Sequence, residues 1–184
     1  MSVRQFVFIA LFVSLLTISS FLSFPLGPIP ITLQVFFVCL AGLLLGKKWG
    51  SLSVSIWVLL GIAGIPVFSQ GKAGIMALLG PTGGFFIGFI LAAFCIGWYW
   101  EKQEKKISHA FISTGLGLII IYIFGSIGFY FHSVFILEQP VSWSYILKVS
   151  VIPFLLIDIL KGFFASIIGV KVYHALLKTG LYPL

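Results

Sequence analysis

Long apolar runs almost free of charge alternate along this chain with short breaks that gather its lysines, glycines and prolines. Read as helices, the runs place spans at residues 5–24, 32–46, 51–65, 83–100, 108–131 and 143–177. A helix needs about 20 apolar residues to cross the hydrocarbon core of a bilayer, so 184 residues hold these spans, short connections and little else. Residues 32–46 number 15, about 22 Å at helical rise, which is short for a bilayer. Residues 143–177 are too many by the same arithmetic, and Pro153 among them lacks the helical N–H and is expected to kink that helix. The first run reads as a retained span. Its best small-x-small cleavage candidate, Thr17-Ile18-Ser19, is poor, and the apolar stretch continues to Phe24.

Composition turns the pattern into a class. Hydrophobic residues make up 60% and charged residues 8%, and the mean hydropathy is +1.21, whereas a soluble domain is about 25% charged. The expected fold is therefore an all-α integral membrane protein, a single membrane domain over residues 1–184. The net charge of +7 has a pattern of its own. Arg4, Lys47, Lys48, Lys102, Lys105, Lys106, Lys171 and Lys178 fall on one side of the predicted spans, against Lys72 and Lys148 on the other. Short loops rich in Lys and Arg stay inside the cell, so both termini are predicted to be cytoplasmic in a plasma or inner membrane. Trp49, Trp98, Tyr99, Trp100, Trp143 and Tyr145 cluster at span ends, as interfacial anchors do. The positive charge thus reports topology rather than nucleic-acid binding.

That orientation leaves loops 25–31, 66–82 and 132–142 outside. The middle one is too polar to span and too apolar for an ordinary solvated loop. Phe68, Ile75, Met76, Leu78 and Leu79 are expected to fold back onto the helices as a lid, and its glycines permit tight turns and close approach to a ligand. A re-entrant loop that only packs is the competing reading.

Asp158 is one of only four acidic residues, and it lies inside an apolar run with Lys161 three positions on. At i and i+3 the two share a helix face and partly neutralise each other. Ionisable groups are expensive in hydrocarbon. Two readings follow: an ion pair that only fixes helix packing, or a polar anchor for a ligand in a membrane pocket, which we favour. Familiar catalytic chemistries do not fit. Residues 42–47, Gly-Leu-Leu-Leu-Gly-Lys, imitate a phosphate loop but are one residue short and lack the following Ser or Thr, so they read better as close helix packing before a basic turn. His109, His132 and His174 are dispersed, Cys39 and Cys95 are isolated within spans, and intramembrane aspartyl catalysis needs a second carboxylate beside Asp158. No metal or cofactor is called for. If the protein drives transport, it borrows its energy.

The series Gly27-Pro28-Ile29-Pro30-Ile31-Thr32-Leu33-Gln34, Gly64-Ile65-Pro66-Val67-Phe68, Leu79-Gly80-Pro81-Thr82-Gly83-Gly84-Phe85 and Pro153-Phe154 with Asp158-x-x-Lys161 resembles the BioY family. These are the biotin-specific substrate-binding (S) components of energy-coupling-factor (ECF) transporters. The motifs run in order and at comparable spacing over nearly the whole chain. Phe85 stands where the family often has Tyr, Leu156-Ile157 replaces a commoner Pro/Gly-containing stretch, and residues 69–77 are less glycine-rich than in many relatives.

The resemblance implies the ECF S-component fold of six transmembrane helices, with a site near the outer face capped by loops 25–31 and 66–82. It implies biotin as substrate. Asp158 would accept from the ureido N–H groups, Lys161 would neutralise it and donate to the ureido carbonyl, and Gln34 and Thr32 would add hydrogen bonds. Lys72 is the candidate for the tail carboxylate. Phe68 and Phe85 would supply apolar wall, core packing being the alternative for each, and Thr82 and Gly83 complete the predicted site. Implied partners are an ECF transmembrane coupling protein and two cytoplasmic ATPase subunits, met on helix one by Ala10 and Ser14, which stand at the spacing of the family's A-x-x-x-A pattern. The alternatives are an S component for another vitamin or a biotin precursor, or, in a different class, a membrane enzyme or assembly protein.

Overall fold

In a computed structural model, which describes residues 2–25 and 27–182, the apolar runs are helices. They are α1 (Val3–Phe21), α2 (Gln34–Ile62), α3 (Ile75–Leu79), α4 (Gly83–Glu101), α5 (Ile107–Phe131), α6 (Trp143–Ser150) and α7 (Ile152–Lys178). Five of them are long and apolar enough to cross a membrane. A capping box starts α1: the Ser2 hydroxyl accepts from the Gln5 amide at 3.2 Å, and the Gln5 side chain accepts from the Ser2 amide at 2.8 Å.

The one long helix Gln34–Ile62 is a hairpin. Gly46 takes φ 69° and ψ −176°, a conformation open almost only to glycine. Residues nine apart lie about 13.5 Å from each other along a straight helix, yet a Cβ built on Gly50 would stand 2.6 Å from the Ala41 carbonyl oxygen. The chain therefore reverses at Gly46. Residues 47–50, expected as a loop, are already helical because a single glycine makes the turn. The Glu101 carboxylate at the end of α4 accepts from the Lys47 amide at 2.8 Å and lies 3.4 Å from the Lys47 ammonium, supplying the acceptor that a helix start needs. The small-residue stripe at Gly42 and Gly46 is buried inside the bundle, so it is not free to meet another protein. Gly46→Ala is expected to lower stability by about 1–3 kcal/mol, measured as a fall in the unfolding midpoint in detergent; an unchanged midpoint would show that the turn does not depend on glycine.

The last run also departs from expectation. A single kinked helix was predicted over 143–177, whereas α6 ends at Ser150, Val151 leaves helical geometry at φ −122° and ψ −60°, and α7 begins at Ile152. Pro153 then occupies the first turn of α7, where a missing N–H costs nothing. Proline here starts a helix rather than bending one. The crossing element is the 27-residue α7, about 40 Å long.

At one end of the bundle Arg4 donates to the Gly180 carbonyl at 2.6 Å, bringing the two chain ends together. The opposite end carries three connections. The first is drawn in by a two-residue antiparallel ribbon, β1 (Ser23–Phe24) on β2 (Ile31–Thr32), with Ser23 opposite Thr32, so α1 stops earlier than expected. The second, residues 63–82, holds a short 3-10 turn (Ser69–Gly71) and α3. It folds back only in part. Phe68 is buried, but Met76 is 71% exposed, and Ile75 and Leu79 are exposed as well. A five-residue helix can turn only one side inward, and Ala77 and Leu78 take that side, packing on the core. The third connection begins with a π-turn (His132–Ile136), from which the His132 ring meets the Leu79 carbonyl at 2.9 Å and ties it to the end of α3.

Candidate substrate-binding site

Beneath the first two of these connections lies a cavity lined by residues 29–32, the start of α2, Ser69, the head of α4, the middle of α5 and the first three turns of α7. Asp158 and Lys161 reach it from α7, and both are buried, at 6% and 9% exposure. The Lys161 ammonium donates to Asp158 Oδ1 at 2.6 Å. From α5 the Tyr122 hydroxyl donates to Asp158 Oδ2 at 2.7 Å. One carboxylate thus carries a donor on each oxygen and keeps a lone pair free on each. The buried charge is compensated by its lysine, and together the two groups offer an acceptor and a donor at the cavity wall.

Thr32 and Gln34 form a second polar cluster across the cavity. The Thr32 hydroxyl donates to Gln34 Oε1 at 2.8 Å and accepts from the Gln34 amide at 3.3 Å. Gln34 Nε2 donates to the Ser20 hydroxyl at 2.8 Å, which donates in turn to the Leu16 carbonyl at 2.8 Å. This network orients the Gln34 amide from α1. Ser20 was not anticipated from the sequence, where it is one of several serines in an apolar run.

Among the other predicted residues, Thr82 and Phe85 line the cavity, joined by Phe86, Phe89 and Phe154. Phe68 does not. It is 1% exposed and sits behind the wall, stacked on Phe86 at 4.3 Å between centroids and edge-on to Trp57 at 5.2 Å. Phe86 presents the ring that Phe68 was expected to present. Gly83 also stands off the wall: a Cβ there would come within 1.6 Å of the Leu78 carbonyl oxygen, so the residue permits the tight corner from α3 into α4. Lys72 lies outside the cavity, on an adjoining one of about 270 Å³ with Met76, Gly80 and Pro81. Thr82 lines both and marks their junction.

Tyr122 is the largest omission of the sequence reading. It sits well inside the α5 run, where a phenol hydroxyl needs a partner, and that was the available signal. Ala10 and Ser14 do not line this cavity; both are exposed on α1, and the Ser14 hydroxyl is turned back onto the Ala10 carbonyl at 3.0 Å.

Residues 1–178 match the BioY family. The chain belongs to the BioY family. A Thermotoga maritima protein, "Biotin transporter BioY", is 41% identical over 171 residues, which cover 91% of this chain and 95% of that protein. "Biotin transporter BioY2" of Lactococcus lactis is 33% identical over 174 residues, covering 95% of this chain and 92% of its own length. The fold is shared with a solved S-component for biotin from an ECF-type ABC transporter, at TM-score 0.81 and 28% identity over 92% of this chain and 90% of that one. The helical membrane fold is therefore that of an ECF S-component, and the protein is a multi-pass membrane protein of a transporter family.

Proposed function

We propose that the protein is a biotin-binding S component that mediates biotin uptake, with the cavity at Asp158 as its substrate site. The observation that carries this is the buried Asp158–Lys161 pair opening on an otherwise largely apolar cavity. Biotin has a fused bicyclic body that is mostly apolar and a ureido head with two N–H donors and one carbonyl acceptor. Asp158 accepts from an N–H group on one edge of the head, Lys161 donates to the adjoining carbonyl, and Phe85, Phe86 and Phe89 receive the rings. Thr32 and Gln34 bond the far edge of the head. The valeryl tail runs past Thr82 toward Lys72, whose ammonium meets the carboxylate. The cavity is about 40 Å³, below the several hundred of a filled ligand site, so its lining must give way as biotin enters. Calorimetric titration of the purified protein tests the proposal: one biotin per chain is expected, and absence of binding overturns it.

The same reading places both termini in the cytoplasm, with the cavity opening outward, as the distribution of lysines supports. It assigns energy supply to an ECF coupling protein and two ATPase subunits rather than to this chain. Ala10 and Ser14 form the docking position on α1, where small residues let a partner helix approach closely. Replacing either with Leu is expected to leave biotin affinity within about twofold while lowering recovery of the coupling protein in a detergent pull-down and reducing uptake. Normal assembly and uptake in both variants would move docking to another face.

A further inference from the structure

We propose that Tyr122 is a positioning residue: it fixes the Asp158 carboxylate in the orientation that receives an N–H group of the ligand. This rests on the substrate reading above and assigns a role to a residue that does not itself face the substrate. Tyr122 is absent from the wall of the central cavity and lies instead on the groove between α5 and α6, with Ile119, Ile123, Trp143 and Leu147. Its hydroxyl meets Asp158 Oδ2 at 2.7 Å, and of the two groups it is the carboxylate that lines the cavity.

Asp158 needs such a tie. Its other donor, Lys161, comes from the same helix on a flexible stem, and an ammonium is a point charge that fixes no plane. A rigid phenol held in a different helix does fix one. With Lys161 on one oxygen and Tyr122 on the other, the carboxylate is held at both ends, and a remaining lone pair is free to accept from a ureido N–H.

The helices have other polar ties besides this bond. Three polar rungs join α5 to the helices that follow it. Thr114 meets Ser166 at 3.0 Å, Tyr122 meets Asp158 at 2.7 Å, and Ser126 meets Ser150 at 3.1 Å. The outer two are neutral hydroxyl pairs and already tie α5 to α7 and α6. Only the middle rung carries charge, and only its acceptor opens on the cavity. A phenol placed solely for packing would not need to end on the ligand-facing carboxylate.

The test compares two ligands, biotin and an analogue methylated on both ureido nitrogens, which cannot donate to Asp158. The parent protein must first bind biotin; if it does not, the substrate reading fails, and separately from this proposal. Tyr122→Phe is expected to weaken biotin about tenfold and the methylated analogue less than about twofold, because it removes orientation that only the N–H groups use. Inserting 4-aminophenylalanine at position 122, which keeps the ring and restores a donor, should return biotin to within about threefold of the parent. Thr114→Val, on an outer rung, is the control: it should lower the unfolding midpoint without changing the ratio of the two affinities. An equal loss for both ligands, no loss for either, a matching change in the Thr114→Val ratio, or a Phe protein that does not fold would each make the hydroxyl a structural tie and overturn the proposal.

Discussion

Asp158→Asn is expected to weaken biotin binding about 10- to 150-fold while the protein still folds. The range follows from hydrogen bonds to a charged acceptor, which contribute roughly 1.5–3 kcal/mol each, with about 1.4 kcal/mol to a factor of ten. Folding should survive because asparagine keeps the shape and one acceptor. Its amide oxygen can take the Lys161 donor that now stands 2.6 Å from Oδ1, and its NH₂ can donate to a Tyr122 hydroxyl turned to accept. What disappears is the negative charge and one acceptor site toward the cavity. Calorimetry on the purified variant reads the effect, with circular dichroism to establish the fold. A folded Asp158→Asn protein with parental affinity would remove Asp158 from the site.

The parts of this arrangement that could be read from the sequence are those in which one residue type has few physical options. A carboxylate and an ammonium three positions apart in an apolar run have little choice but to meet, and they do. The helices of the bundle were visible because lipid demands long apolar runs, and the turn at Gly46 was signalled by the lysines beside it. What stayed hidden depends on the rotation of elements that are apolar on every side. Which of Phe68, Phe85 and Phe86 faces the cavity is set by how α4 and the 63–82 connection are rotated, and 20 phenylalanines offer no contrast to read. The orientation of α3 was hidden for the same reason, and Met76 ended on the outside. Pro153 misled because a proline that bends a helix and one that begins a helix look alike until the residue before it is seen to leave helical geometry. Tyr122 was hidden because its partner lies 36 positions away on a helix it was not known to face.

Whether the Asp158–Lys161 pair is a packing device or a ligand anchor is decided by removing it in two ways. Lys161→Met alone leaves the carboxylate buried with only the Tyr122 donor, and stranding one partner of a buried pair costs about 3–5 kcal/mol. The variant should unfold at markedly lower denaturant or temperature in detergent. Replacing the whole cluster, as Tyr122→Phe/Asp158→Leu/Lys161→Met, strands nothing, because the phenol hydroxyl goes with the charges it served. Exchanging a buried ion pair for apolar residues of similar size is often neutral or stabilising, so the triple variant should regain stability to within about 1 kcal/mol of the parent or exceed it. Binding should behave in the opposite way. With neither acceptor nor donor left on α7, biotin affinity should fall beyond the loss expected for Asp158→Asn, despite the recovered fold. Recovered stability with binding lost is the result that only an anchor produces. A stable triple variant that still bound biotin within about tenfold of the parent would instead make the pair a packing device, and the substrate would have to be held by Thr32, Gln34 and the aromatic wall.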